Sequence, residues 1–68
     1  MQIRSRTLEA QVHAALNKAV AKGHADAIEA MSDEEIALDL MLYDPTLKHD
    51  KGQAGFVPFV QTWRAKQQ

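Results

Sequence analysis

Apolar residues recur at intervals of three and four along the first third of the chain. This spacing predicts an amphipathic helix over residues 7–22. The apolar stripe consists of Leu8, Val12, Ala15, Leu16, Ala19 and Val20. Gly23 follows it, and glycine ends helices because it adopts a left-handed conformation without steric cost. Lys18 and Lys22 suit the negative end of the helix dipole. Residues 1–6 are predicted to form an N-terminal arm.

The next segment contains a break between two helices. Residues 25–31 are predicted to form a short helix, and a second helix is predicted over residues 33–43. The four residues from Ser32 to Glu35 match a capping box, in which each side chain accepts a hydrogen bond from the other residue's backbone amide. A continuous helix would place Ile28 on the same side as Glu35, so the apolar pattern also favours a break at Ser32.

The predicted helix 33–43 is apolar on more than one face. Between Ile36 and Tyr43 only Asp39 is polar, and a helix of this kind is normally buried all round. We expect one face to pack on the first helix and the other to contact a second copy of the chain, which gives a homodimer, or another protein. The predicted apolar interface is Leu38, Met41, Leu42 and Tyr43. The alternative is that the C-terminal segment alone covers the second face.

Pro45 ends this helix, because the residue before a proline is driven away from helical geometry. Residues 44–55 are predicted to form a polar loop, and residues 56–66 a last helix with Pro58 in its first turn. The aromatic face of the last helix is predicted to cover the core. Together the elements predict an all-α domain over residues 1–68, compact, with three main helices and one short helix.

The composition makes the predicted core small. Of 68 residues, eleven are alanines, and nineteen larger apolar side chains remain when Met1 is left out. Burial of a large apolar side chain contributes about 1.5–3 kcal/mol, whereas ordering one residue costs about 1.5 kcal/mol. Without cysteine no disulfide can offset this cost, and His13, His24 and His49 do not match a zinc-binding spacing. We therefore expect oligomerisation, and no metal or cofactor.

The net charge of −1 conceals an uneven distribution. Residues 1–24 carry +3, residues 25–44 carry −7, and residues 45–68 carry +3. One interpretation of the acidic segment 25–44 is that it forms a solvated face, and that its acids also complement the positive ends of helix dipoles. The other is a recognition surface for a partner with a basic surface, in which charge steers the encounter and apolar side chains supply affinity. The predicted acidic contacts are Asp33, Glu34, Glu35 and Asp39.

The chain has no recognisable catalytic motif, so we expect a protein that is not an enzyme. Nucleic-acid binding is the alternative function, as a small DNA-binding transcriptional regulator. The acidic side chains of the predicted helix 33–43 would be repelled by the phosphate backbone. The predicted contacts are therefore the basic residues near the two ends of the chain, Arg4, Arg6, Arg64 and Lys66. No apolar run is long enough for a signal peptide or a membrane span, so a cytoplasmic location without membrane contact is expected.

Two segments carry a resemblance to a known class of proteins. Residues 31–44, MSDEEIALDLMLYD, and residues 57–64, VPFVQTWR, resemble the small all-helical proteins of unassigned role carried by bacteriophages and prophages. Such proteins often bind and disable a host protein, which is what the resemblance implies here. The sequence therefore favours a non-catalytic protein-binding module that modulates or inhibits a macromolecular partner.

Overall fold

Four helices make up the fold in a computed structural model, which describes residues 7–67. They are α1 (Leu8–Ala21), α2 (Ala25–Ala30), α3 (Asp33–Tyr43) and α4 (Gln53–Lys66). Residues 7–67 contain no β-strand. The prediction of an all-α fold with three main helices and one short helix is confirmed. The predicted N-terminal arm, residues 1–6, lies outside the described residues.

Local hydrogen bonds account for both ends of α1. The Thr7 hydroxyl accepts a hydrogen bond from the backbone amide of Ala10 at 3.1 Å, which satisfies one of the amides left free at a helix start. At the other end Gly23 adopts a φ of 95°. The backbone amide of His24 then donates to the carbonyl of Ala19 at 3.1 Å. Gly23 ends the helix as predicted.

The predicted capping box separates α2 from α3. The backbone amide of Ser32 donates to the Glu35 carboxylate at 2.8 Å, and the backbone amide of Glu35 donates to the Ser32 hydroxyl at 3.1 Å. Met31 has extended backbone geometry and ends α2. The chain therefore turns at this point, and α2 and α3 are separate helices.

Helix α4 lies at the centre of the fold, because it packs against both α1 and α3. The expectation that one face of α3 packs on α1 is wrong, since α3 packs mainly on α4. Side chains from all three helices form the core, and the 44–52 segment adds one leucine. The buried residues are Val12, Leu16, Ile36, Ala37, Leu40, Leu47, Phe56, Val60 and Trp63.

Helix α4 begins at Gln53, three residues before the predicted start. Gly52, with a φ of 61°, reverses the chain there, and the Gln53 side-chain amide donates to the carbonyl of Glu34 at 2.7 Å. Pro58 consequently lies inside the helix, not in its first turn as predicted. Because proline has no amide hydrogen, it leaves the carbonyl of Ala54 without its helical partner. Ala54 itself lies on the exposed side of the helix.

The segment predicted as a polar loop supplies packing contacts as well as polar side chains. Leu47 is 3% exposed and belongs to the core. The His49 ring meets the rings of Phe56 and Phe59 edge to face, with centroid distances of 5.9 and 6.0 Å. A Cβ atom at Gly55 would overlap the His49 ring. The segment is therefore folded back onto the start of α4, and Gly55 makes the room for it.

Two polar side chains of α1 join it to α4. The Nε2 atom of His13 donates to the carbonyl of Phe59 at 3.0 Å, because a carbonyl can only accept. One turn further along both helices, Trp63 Nε1 donates to Asn17 Oδ1 at 2.8 Å. The His13 side chain therefore faces α4. The paired bonds set the register of the two helices.

Arg64 joins the corner between α2 and α3 to α4. Its Nη1 atom donates to Asp33 Oδ1 at 2.8 Å. Its Nη2 atom donates to the carbonyls of Ile28, at 2.6 Å, and Met31, at 2.5 Å. The last carbonyls of a helix lack partners within the helix and carry partial negative charge, so a guanidinium suits them. One side chain therefore binds the end of α2 and the first residue of α3.

We predict that Arg64→Met lowers the free energy of unfolding by about 1.5–3 kcal/mol, the usual contribution of hydrogen bonds to a charged group. Urea denaturation followed by circular dichroism measures the change. Lys66→Met is the matched control, because Lys66 is exposed two residues away, and its effect should stay within about 0.5 kcal/mol. Equal effects of the two substitutions would show that the corner does not depend on Arg64.

Candidate protein-binding surface

Helix α3 exposes three large apolar side chains. Leu38, Leu42 and Tyr43 are 44%, 68% and 85% exposed. Met41, the fourth residue of the predicted interface, is half-buried and packs against the core. The alternative in which the C-terminal segment covers the second face of this helix is wrong for the three exposed residues. The exposed residues Leu38, Leu42 and Tyr43 of α3, with the acids Glu34 and Asp39, are called the outer surface below.

The four predicted acidic contacts differ in their surroundings. Asp33 forms the ion pair with Arg64 and is 24% exposed at its side chain. Glu35 is exposed but is held in the capping box. Glu34 is exposed and Asp39 is half-buried, and neither carboxylate bonds to another described residue. Two acids of the four thus serve the fold, and two remain available to a partner.

A groove with a volume of about 620 Å³ opens between α1, α2 and α3. It exists because α1 and α3 each pack against α4 and make few contacts with each other, while α2 rests on α1. Its floor consists of apolar side chains from all three helices. These are Ala15, Leu16, Ala19, Ala27, Ile28, Met31, Ile36 and Leu40.

The two rims of the groove carry opposite charges. Lys18 of α1 and Lys22, directly after α1, line one side of it. Asp39 and Asp44 line it from the other side, on α3 and directly after it, with Tyr43 beside them. The sequence interpretation assigned the lysines to the helix dipole alone and missed this role. The sequence did contain a signal for it: Lys18 and Lys22 are four residues apart, so they lie on the same side of the predicted helix, next to Ala15 and Ala19.

The basic residues predicted to contact nucleic acid are only partly described. The Arg64 guanidinium is taken up by its three hydrogen bonds at the α2–α3 corner. Lys66 is exposed near the end of α4. Arg4 and Arg6 lie outside the described residues.

The histidines have separate surroundings. His13 bonds to α4 and His49 packs on two phenylalanine rings, whereas His24 lines the groove. Within residues 7–67, no three histidine or acidic side chains are grouped so that they could hold a metal ion. In the same part of the chain, no helix is both long and apolar enough to cross a membrane.

Comparison of the chain with protein-family models, with curated proteins and with solved structures finds no match. The shape, exposure and charge of the surfaces described above are therefore the basis for assigning a function. Two of them are adjacent on α3: the outer surface and the groove share Asp39 and Tyr43.

We predict that Leu42→Ser changes the free energy of unfolding by no more than about 0.5 kcal/mol, because Leu42 lies on the outer surface. Leu40→Ser, the same substitution half a turn away in the core, should cost about 2–5 kcal/mol. Urea denaturation at a concentration where the chain is monomeric measures both. A large loss for Leu42→Ser would mean that this side of α3 is packed within the single chain.

Proposed function

We propose that this protein is a non-catalytic protein-binding module that modulates or inhibits a macromolecular partner through the outer surface of α3. The observation that carries the proposal is the exposure of Leu38 and Leu42, opposite the core side of α3, and of Tyr43 at the last residue of the helix. Large apolar and aromatic side chains surrounded by polar residues are typical of the anchors of protein interfaces. The inhibitory role is what the resemblance to small phage proteins implies.

The charge of α3 supports a partner with a basic surface. The helix has four acidic residues and no basic one. Arg64 neutralises Asp33 and Glu35 is held in the capping box, so Glu34 and Asp39 are the acids that remain available to a partner. Opposite charges of this kind raise the rate of encounter and suppress partners of the same sign, while the apolar anchors hold the complex together.

A binding role is also supported by how the polar side chains are used. His13, Asn17 and Arg64, which could otherwise serve chemistry, bond to other helices of the fold. The nucleic-acid alternative is less well supported, because Arg64 uses its guanidinium inside the molecule. Salt-sensitive binding of duplex DNA that requires Lys66 would revive it.

The first experiment is partner capture with immobilised protein, followed by identification of the captured protein. We expect the double variant Glu34→Lys and Asp39→Lys to reduce capture of the specific partner at least about fivefold, since each reversal replaces an attraction by a repulsion. The matched control is Asp26→Lys with Glu29→Lys, which reverses two exposed acids of α2 and should leave capture unchanged. A partner retained equally by both variants would contradict the role of the outer surface.

We also propose that the outer surface mediates the predicted homodimer, because Leu38 and Leu42 are the apolar area available for it. A two-fold interface brings the same patch of both copies together, so the acids Glu34 and Asp39 of one copy would approach those of the other. Salt screens this repulsion. Light scattering should therefore show the mass rising from 7.6 kDa towards twice that value as salt increases. A monomer at every salt concentration would contradict the dimer.

A further inference from the structure

We infer that the groove between α1, α2 and α3 is the seat of an amphipathic helix of the partner, bound with a basic flank along α3 and an acidic flank along α1. This inference rests on the proposed protein-binding function and names the class of ligand. Three observations carry it: the apolar floor, the small residues in that floor and the opposite charges of the rims.

The floor of the groove suits the apolar ridge of a helix. Ile28 and Met31 are half-buried at its base, so covering them removes apolar surface from water. Ala15, Ala19 and Ala27 also line it, and their small side chains let another backbone approach closely. An amphipathic helix laid in an apolar groove, with anchors at spacings of three and four, is a recurrent mode of recognition. A volume of about 620 Å³ accommodates several such anchors.

Tyr43 strengthens this interpretation of the groove. It is 85% exposed and lies at the groove's edge on α3. A tyrosine offers a large apolar ring together with a hydroxyl that can remain in water, which is the combination favoured at interfaces. A helix seated in the groove would pack against this ring without leaving the hydroxyl buried.

The rims restrict which helix fits. A uniformly basic helix would be attracted by Asp39 and Asp44 but repelled by Lys18 and Lys22. A uniformly acidic helix would be attracted by Lys18 and Lys22 but repelled by Asp39 and Asp44. The α3 helix of a second copy is of the acidic kind, with four acids and no base, so the charges disfavour that helix as the occupant. A helix with a basic and an acidic flank satisfies both rims.

Opposite rims also determine the direction of the bound helix. Turning such a helix end for end exchanges its flanks and places each of them beside a rim of the same sign. One orientation is therefore attractive and the other repulsive, which is a common basis of specificity.

Three synthetic peptides of about fourteen residues test the inference, each with the same leucine ridge at helical spacing. One carries lysine on one flank and glutamate on the other, the second carries lysine on both flanks, and the third glutamate on both. Fluorescence anisotropy gives their Kd values. We expect the mixed peptide to bind at least about fivefold more tightly than either uniform peptide, the effect of two or more exposed charge pairs.

Two tryptophan substitutions test the place of binding. Ala27 and Ala30 are both exposed on α2, but only Ala27 lines the groove. Ala27→Trp should raise the Kd of the mixed peptide about tenfold or more, because the tryptophan ring would fill the groove. Ala30→Trp should leave this Kd unchanged. Circular dichroism and urea denaturation show whether both variants keep the fold.

A charge exchange tests the rims. Lys18→Glu with Lys22→Glu makes both rims acidic, so the tightest ligand should become the peptide with lysine on both flanks. The inference is overturned if no peptide binds, if all three bind equally, if the exchange leaves their order unchanged, or if Ala27→Trp and Ala30→Trp have the same effect.

The fate of the captured partner separates failure of the groove from failure of the proposed function. A partner that Ala27→Trp still retains, but that Glu34→Lys loses, binds the outer surface without entering the groove. The protein-binding function then stands, and the groove inference falls. If no captured protein depends on α3 at all, the proposed function falls, whatever the peptides do.

Discussion

Helix α4 packs against both α1 and α3, whereas α1 and α3 scarcely meet. Adjacent residues of α4 bond to different neighbours: Trp63 donates to Asn17 of α1, and Arg64 donates to Asp33 of α3. The rest of the arrangement depends on this division. Because α1 and α3 are held apart by their common contact with α4, an apolar groove remains between them, and the short helix α2 lies beside it.

Helix α3 combines a core face with an exposed one, and its acids divide in a similar way. Ile36 and Leu40 pack inward, while Leu42 is 68% exposed on the other side. Asp33 and Glu35 hold the start of the helix through the ion pair and the capping box. Asp33 and Glu35 therefore serve the structure of α3, whereas Glu34 and Asp39 remain free. Only these two free acids can serve recognition, so the proposed surface contains fewer acidic residues than the composition suggested.

The functional proposals depend on how charge and apolar area are combined. An acidic helix with exposed leucines attracts a basic partner but repels a copy of itself, so salt should act in opposite directions on the two associations. The groove adds a positive rim, Lys18 and Lys22, opposite a negative one. A ligand that satisfies both rims must itself carry two signs of charge. The shape and the charges of the groove therefore define a narrower class of ligand than the acidic composition alone does.

The amino-acid sequence by itself determined the helices and their caps. The capping box at Ser32, the stop at Gly23 and the bounds of α3 were all predicted correctly, because each depends on hydrogen bonds and periodicity within a few residues. The outward position of Leu38 and Leu42 also followed from periodicity. For the candidate surfaces, local pattern therefore predicted the exposed side of α3.

The tertiary structure alone decided which side chains meet across the fold. Arg64 bonds to residues 31 to 36 positions away, and His13 bonds to a carbonyl 46 positions away. No periodicity encodes such separations, since they depend on where whole helices lie. For the same reason, the sequence alone did not predict the early start of α4, the burial of Leu47 or the groove. The opposite charges of the groove's rims exist only because α4 holds α1 and α3 apart.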